Sequence, residues 1–238
     1  MTPEDSDERR HKTKNQLVKG ERMSNVSTIA NKTLMAQART SLDGKWKLSA
    51  GTTLLFFVTT IAIQMVPGVG PFIAIALTGP LAVGFAMFIL SVTRNEAAKS
   101  SQLFDGFNRF GVAFGAHLLQ FVLVALWSLL LVVPGIIAGI SYSMTYYIIA
   151  DDKTIGPLEA ISKSKAMMYG NKWKFACLSA RFIGWTILAA LTLGIGMLWL
   201  TPYAAASIAQ FYEELVRVET GSGMNPMLAT NGNPGTEQ

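Results

Sequence analysis

The sequence predicts an all-α fold, a polytopic transmembrane helical bundle with about six spans arranged as three helical hairpins. The first observation is the distribution of charge, because 48–93 and 110–150 contain no charged residue and 175–212 contains only Arg181. Each block is about twice the ~20 apolar residues that a membrane-spanning helix needs. The second observation is a Gly- or Pro-rich cluster near the middle of each block, which is typical of a turn between helices. The pattern excludes a soluble globular enzyme and a disordered chain.

The turn clusters divide these blocks into six predicted spans. The turns contain Pro67 and Gly68, Pro134 and Gly135, and Gly194 and Gly196. The predicted spans are 48–66, 72–93, 111–133, 135–150, 175–193 and 197–213. The span 135–150 is short and rich in tyrosine, so a re-entrant or interfacial segment is the alternative there.

The integral membrane domain is predicted to comprise residues 24–217, between two polar tails. Residues 1–23 are highly charged and residues 218–238 are rich in Gly, Asn, Pro and Thr, compositions that are typical of disorder. Lys19–Arg22 is compatible with a purine-rich ribosome-binding stretch in the gene. We therefore hypothesise that translation begins at Met23, which the intact mass of the native protein would test.

The basic residues predict the orientation, because cytoplasmic loops retain Lys and Arg. Ten precede the first span, three lie in 94–109, five in 153–174, and Arg217 follows the last span, whereas the hairpin turns contain none. The sequence predicts a multi-pass protein of the cell membrane with both termini and both long loops in the cytoplasm. The same rule accounts for the pI of about 9.4, so we expect no nucleic-acid partner.

An internal repeat precedes the first and third hairpins. Its shared element is a glycine followed by a Trp-Lys pair: Gly44 before Trp46 and Lys47, and Gly170 before Trp173 and Lys174. A degenerate copy contains Gly106. Trp and Lys favour the headgroup level, so these pairs are predicted interface anchors. The amphipathic helices before them lie either on the anionic inner leaflet or against the cytoplasmic end of the bundle itself.

The sequence offers no catalytic, cofactor-binding or metal-binding residues. His11 and His117 are far apart, and no Cys or His cluster has the spacing of metal ligands. The tight acidic pair Asp151 and Asp152 is interpreted as a solvated helix boundary. We therefore expect a protein that is not an enzyme and that needs no cofactor.

Arg181 is the one charged residue predicted to lie inside a span, where ionisable groups are candidates for function. Arg181 and His117 each lie about 10 Å into their spans at 1.5 Å per residue, and Gln120 is slightly deeper. Arg181, His117 and Gln120 form the candidate intramembrane polar site. The alternative is that Arg181 snorkels to the cytoplasmic headgroups.

Pro80 and Pro202 are candidates for breaks in the second and sixth spans. Broken helices expose backbone dipoles, which transporters use to bind substrates. The alternative is that both prolines are structural, since proline is common in membrane helices.

Several strings in the predicted membrane domain occur together in one known family. They are Pro134–Ile137, Glu159–Ser164, Gly170–Lys174 and Trp199–Tyr203, preceded by Leu34–Trp46. In this order they resemble the DUF975 family of bacterial integral membrane proteins, over roughly residues 30–217. That family is distantly similar to the membrane domain of some glycerophosphodiester phosphodiesterases, whose catalytic barrel has no room in this chain. The resemblance implies the architecture and no established reaction.

Two functions are compatible with these observations. The first is a non-enzymatic scaffold or accessory factor that acts through a basic cytoplasmic face on membrane lipids and on an unidentified membrane or cytoplasmic protein partner. The second is a small permease or exporter of a peptide or amphiphile that uses broken helices.

Overall fold

The computed structural model describes residue 27, residues 29–192 and residues 194–220, and these residues form helices joined by short connections without a β-strand. The chain divides into two compact units, of which residues 29–212 form the larger. The smaller combines both chain ends, and its described part is residue 27 and residues 213–220. There the Ser27 hydroxyl donates to Glu214 Oε1 at 3.4 Å. Predictions for residues 1–23, including a start at Met23, and for 221–238 lie outside the described residues.

The helices follow the predicted hairpins. Their bounds are α1 Asn31–Leu42, α2 Trp46–Gln64, α3 Gly70–Thr93, α4 Gln102–Asp105, α5 Phe110–Leu130, α6 Val132–Ser141, α7 Thr145–Asp151, α8 Pro157–Met167, α9 Lys172–Leu191 and α10 Met197–Glu219, with a 3-10 turn at Gly106–Arg109 between α4 and α5.

Five stretches within the described residues have the length and apolar composition needed to cross a membrane. They are Trp46–Gln64, Gly70–Thr93, Gln102–Leu130, Val132–Asp151 and Lys172–Leu191. These confirm a multi-pass helical membrane bundle. Helix α10 contains the predicted span 197–213 but ends in residues 213–219, of which three are acidic and one is basic. It is not among the five. The sixth span stays a prediction.

The first and third hairpin turns lie where the sequence predicts them. Gly68 and Gly194 have φ angles of 77° and 83°, a left-handed conformation that favours glycine. The predicted second turn is wrong by about three residues, because α5 ends at Leu130 and the extended Leu131 separates it from α6. Pro134 and Gly135 lie in the first turn of α6, where proline is tolerated because its missing N–H would have no helical partner.

The predicted helix breaks at Pro80 and Pro202 are wrong. Helices α3 and α10 continue through these prolines without interruption. The interruption occurs instead in the fourth span, between α6 and α7, at residues 142–144. Ser164 of α8 closes this gap, since its hydroxyl donates to Ser141 O at 2.9 Å and accepts from Met144 N at 3.2 Å. The freed backbone groups are thereby satisfied within the protein, as a lipid environment requires.

The internal repeat is more regular in the structure than in the sequence. Helices α1–α3 have 12, 19 and 24 residues, and helices α8–α10 have 11, 20 and 23. Gly44 and Gly68 recur as Gly170 and Gly194, with the same offset of 126 positions, and all four glycines have positive φ. The two helical units therefore share their turns, and residues 94–156 form a middle segment between them.

The apolar stripe of α1 packs inside the protein. Leu34, Ala38 and Leu42 have no exposed surface, so the packing alternative is correct for α1. The apolar residues of α8 differ in burial, since Ile161 is buried whereas Leu158 is 68% exposed.

Helix α3 contacts α5, α4 and α7, and three glycines permit this close packing. A Cβ atom added to Gly79 would lie 2.5 Å from Ala113 O, and one added to Gly84 would overlap the carbonyl of Leu103. From the opposite side, a Cβ added to Gly106 would overlap the carbonyl of Pro80. The backbones of α3 and of the α4–α5 segment are therefore in direct contact.

Gly106→Ala should destabilise the protein by about 1–3 kcal/mol, because neither backbone can move without breaking its helix. Gly111→Ala is the matched control, since a Cβ there meets nothing within 4 Å and alanine favours helix formation by about 1 kcal/mol. Thermal unfolding of both variants in detergent checks this. Equal melting temperatures would contradict the proposed backbone contact.

Candidate functional site

A polar cavity of about 510 Å³ lies at the end of α3, bounded by α4, the 3-10 turn and the end of α7. We call it the polar cavity. Its charged lining comprises three basic and three acidic side chains: Arg94, Arg109 and Lys153, and Glu96, Asp105 and Asp151. Ser91, Gln102 and Asn108 add neutral polar groups, and Met87, Leu90 and Ala150 complete the wall. The positive-inside pattern predicts that this end of the bundle faces the cytoplasm.

An ion pair joins two helix ends across this cavity. Arg94 Nη1 lies 2.6 Å from Asp151 Oδ1, and the Tyr212 hydroxyl donates to Asp151 Oδ2 at 3.0 Å. Arg94 directly follows α3, and Asp151 is the last residue of α7. The pair is partly exposed, so its net contribution to stability is about 1 kcal/mol or less. Its main effect is to fix the spacing of the two helix ends.

Arg109 organises the chain that follows α7. Its guanidinium donates to three main-chain carbonyls: Nη1 to Asp152 O at 2.6 Å and to Ile149 O at 3.1 Å, and Nη2 to Ile155 O at 2.7 Å. A cation at the carboxyl end of a helix also interacts favourably with the helix dipole. Arg109 is therefore a structural residue of the cavity wall.

Asp151 and Asp152 have different surroundings. Asp151 pairs with Arg94, whereas Asp152 Oδ1 accepts from the Thr154 hydroxyl at 2.7 Å and from its backbone N–H at 2.8 Å. These two hydrogen bonds hold the pKa of the Asp152 carboxyl below its usual value. The interpretation of this pair as a solvated helix boundary is thus incomplete, because Asp151 also lines the polar cavity.

A second site lies within the spans, in a cleft of about 330 Å³ that we call the His117 cleft. It is lined by His117, Gln120, Phe121, Val124, Ala125, Gly139 and Tyr146. His117 Nδ1 lies 2.7 Å from the Tyr146 hydroxyl. Gln120 Oε1 is buried and has no hydrogen-bond partner in the part of the chain that the structure describes.

The predicted cluster of Arg181, His117 and Gln120 forms only in part. His117 and Gln120 line one cleft, but Arg181 is not among its lining residues and is exposed on α9. Arg181 is the tenth residue of the 20-residue helix α9, and the alternative, that its long side chain snorkels to the headgroups, stays a prediction. Tyr146, the third polar residue of the cleft, had no sequence signal beyond the tyrosine-rich composition of its span.

The predicted interface anchors differ in their packing. The Trp46 ring packs against Tyr203, with ring centroids 6.5 Å apart, whereas Trp173 is 81% exposed. Lys47 is exposed, and Lys174 Nζ lies 5.8 Å from the centre of the Phe211 ring. Their role at the membrane interface stays a prediction.

No group of three His, Cys, Asp or Glu side chains lies close enough to hold a metal ion among the residues that the structure describes. The two candidate sites are the polar cavity, whose lining carries charges of both signs, and the mostly apolar His117 cleft.

Arg109→Met should lower the stability of the protein by about 3 kcal/mol, because three carbonyls in and after the last turn of α7 lose a charged donor. Arg109→Lys should restore only part of this, since one ammonium group does not reproduce the planar guanidinium fork. Thermal unfolding in detergent measures both variants. Full rescue by lysine would show that charge alone matters at this position.

Neither the curated proteins nor the solved structures contain a significant match to the chain. Residues 121–219 match the family model described as "Protein of unknown function (DUF975)", whereas the similarity to the phosphodiesterase membrane domain stays a prediction. The five candidate spans and this match over residues 121–219 support the sequence resemblance to the DUF975 family.

Proposed function

We propose that this protein is a non-enzymatic membrane scaffold or accessory factor whose basic cytoplasmic face and polar cavity hold phospholipid headgroups. The observation that supports this most directly is the set of charges of both signs around one cavity at the ends of the spans. A protein partner would then bind to a surface formed by both this protein and its bound lipid.

The position of the polar cavity fits a headgroup. Arg94 and Asp151 mark the ends of uncharged spans, which is the depth at which hydrocarbon gives way to headgroups. Met87 and Leu90 supply an apolar wall on the side of α3. A volume of about 510 Å³ lies within the ~300–1,000 Å³ typical of ligand sites.

The charges of the cavity favour a headgroup with charges of both signs. Glu96, Asp105 and Lys153 make no ion pair within the described residues. The carboxylates of Glu96 and Asp105 can pair with an ammonium group, and the ammonium group of Lys153 can pair with a phosphate. Phosphatidylethanolamine carries both groups.

Lys153→Gln should weaken binding of phosphatidylethanolamine about threefold to tenfold, because the phosphate loses one partly exposed cationic partner. Lys99→Gln removes the same charge from an exposed position outside the cavity lining and should leave binding unchanged. Native mass spectrometry of the purified protein with added lipids measures both variants. Equal binding of phosphatidylethanolamine and uncharged diacylglycerol would contradict the proposal.

The proposed orientation places the first hairpin turn outside and the loop after α3 in the cytoplasm. In a Cys177→Ser background, Val69→Cys should react with an impermeant maleimide in intact cells, because Val69 is 51% exposed at the turn. Lys99→Cys should react only after permeabilisation. The reverse pattern would place the basic face outside.

The permease alternative is supported by one observation, the interrupted fourth span beside the His117 cleft. Discontinuous spans form substrate sites in many transporters. Here, however, Ser164 occupies the backbone groups of the gap. Uptake or export of a peptide or amphiphile by vesicles that contain the reconstituted protein would favour this alternative if Gln120→Leu abolished the transport.

A further inference from the structure

We propose that the His117 cleft binds the hydroxyl end of a neutral long-chain alcohol from within the bilayer. This site is separate from the polar cavity and does not depend on the function proposed for it. Four features of the cleft support this: the Gln120 Oε1 atom, which has no partner among the described residues, the uncharged lining, the open space at Gly139 and the position of the cleft along its span.

The polar groups of the cleft converge on one place. His117, Gln120, Phe121 and Val124 follow helical spacing on one face of α5. Tyr146 approaches from α7, and its hydroxyl lies 2.7 Å from His117 Nδ1. These groups give the cleft both hydrogen-bond donors and acceptors.

The side-chain amide of Gln120 provides the main evidence for a ligand. Its Oε1 atom is buried without a partner among the described residues, and a buried unpaired acceptor is costly. A hydroxyl group donates to such an oxygen and accepts in return from a neighbouring donor. One alcohol hydroxyl therefore satisfies Gln120 and still hydrogen-bonds to the His117–Tyr146 pair.

The ligand must be neutral. Among the described residues, no Asp, Glu, Lys or Arg lines the cleft. Gln120 is the central residue of the 21-residue helix α5. Burying an unpaired charge at the middle of a span is unfavourable. A carboxylate or an ammonium headgroup is thereby disfavoured relative to a hydroxyl.

The shape of the cleft admits an alkyl chain from the lipid. Phe121 in its lining is 56% exposed, so the cleft is open toward the surface of the spans. A Cβ added to Gly139 would meet nothing within 4 Å, which leaves room beside the polar groups. Val124 in the lining packs against the buried core cluster of Ala138, Tyr142 and Ile161, which keeps this wall of the cleft fixed.

The test uses the full chain in lipid nanodiscs and a hexadecanol probe that carries a photoreactive diazirine. We expect labelling of the cleft residues, competed by hexadecanol but not by hexadecane or palmitate. Gln120→Leu should weaken labelling about threefold to tenfold, the effect of losing one hydrogen bond. Competition by hexadecane would show that only an apolar chain binds, and equal competition by palmitate would show that neutrality is not selected; either result overturns the proposal.

Gly139→Leu should abolish labelling of the cleft, because the new side chain fills the open space. Gly184→Leu is the matched control, since its added Cβ also meets nothing within 4 Å but lies on α9, outside the cleft. The melting temperature and the size-exclusion profile of each variant verify its folding. If Gly139→Leu does not fold, the labelling of Gln120→Leu tests the proposal instead. Unchanged labelling of a folded Gly139→Leu variant would overturn the proposal. Lys153→Gln should leave this labelling unchanged, which separates the cleft from the polar cavity.

Discussion

The contact between the backbone of α3 and that of the α4–α5 segment is the constraint on which both candidate sites depend. In lipid, helices gain little from the hydrophobic effect when they associate, so close approach of small residues supplies much of the attraction. Gly79 faces Ala113, and Gly106 faces the carbonyl of Pro80. The first contact sets the position of α5, which carries His117 and Gln120. The second holds the 3-10 turn, which carries Arg109, at the end of α3.

The sequence predicted the turns that need a special backbone conformation and missed the turn that does not. Gly68 and Gly194 adopt positive φ, for which glycine is strongly selected. Leu131 is extended, a conformation that any residue adopts and that leaves no mark on composition. Pro134 then misled the prediction because proline is favoured in the first turn of a helix as well as in a loop.

The candidate sites were predictable only where their residues share one helix. His117 and Gln120 are three positions apart and therefore occupy one face of α5. The polar cavity draws its charges from residues 94–96, 105–109 and 151–153, and each of these stretches alone has the composition of an ordinary loop. Arg181 was selected for its charge, but charge does not reveal the face of a helix, and Arg181 lies on the exposed one.

The internal repeat separates the framework of the molecule from its candidate sites. Thr60 and Thr186 are equivalent by the offset of 126, and their hydroxyls donate to Phe56 O at 2.8 Å and to Phe182 O at 2.7 Å. The position equivalent to Arg181 is Leu55, so the repeated architecture does not require that charge. By contrast, the charged lining of the polar cavity and the whole His117 cleft belong to the middle segment, residues 94–156. Substitutions of the lining residues in the middle segment therefore change the two candidate sites and leave the glycine turns of the paired helical units unaltered.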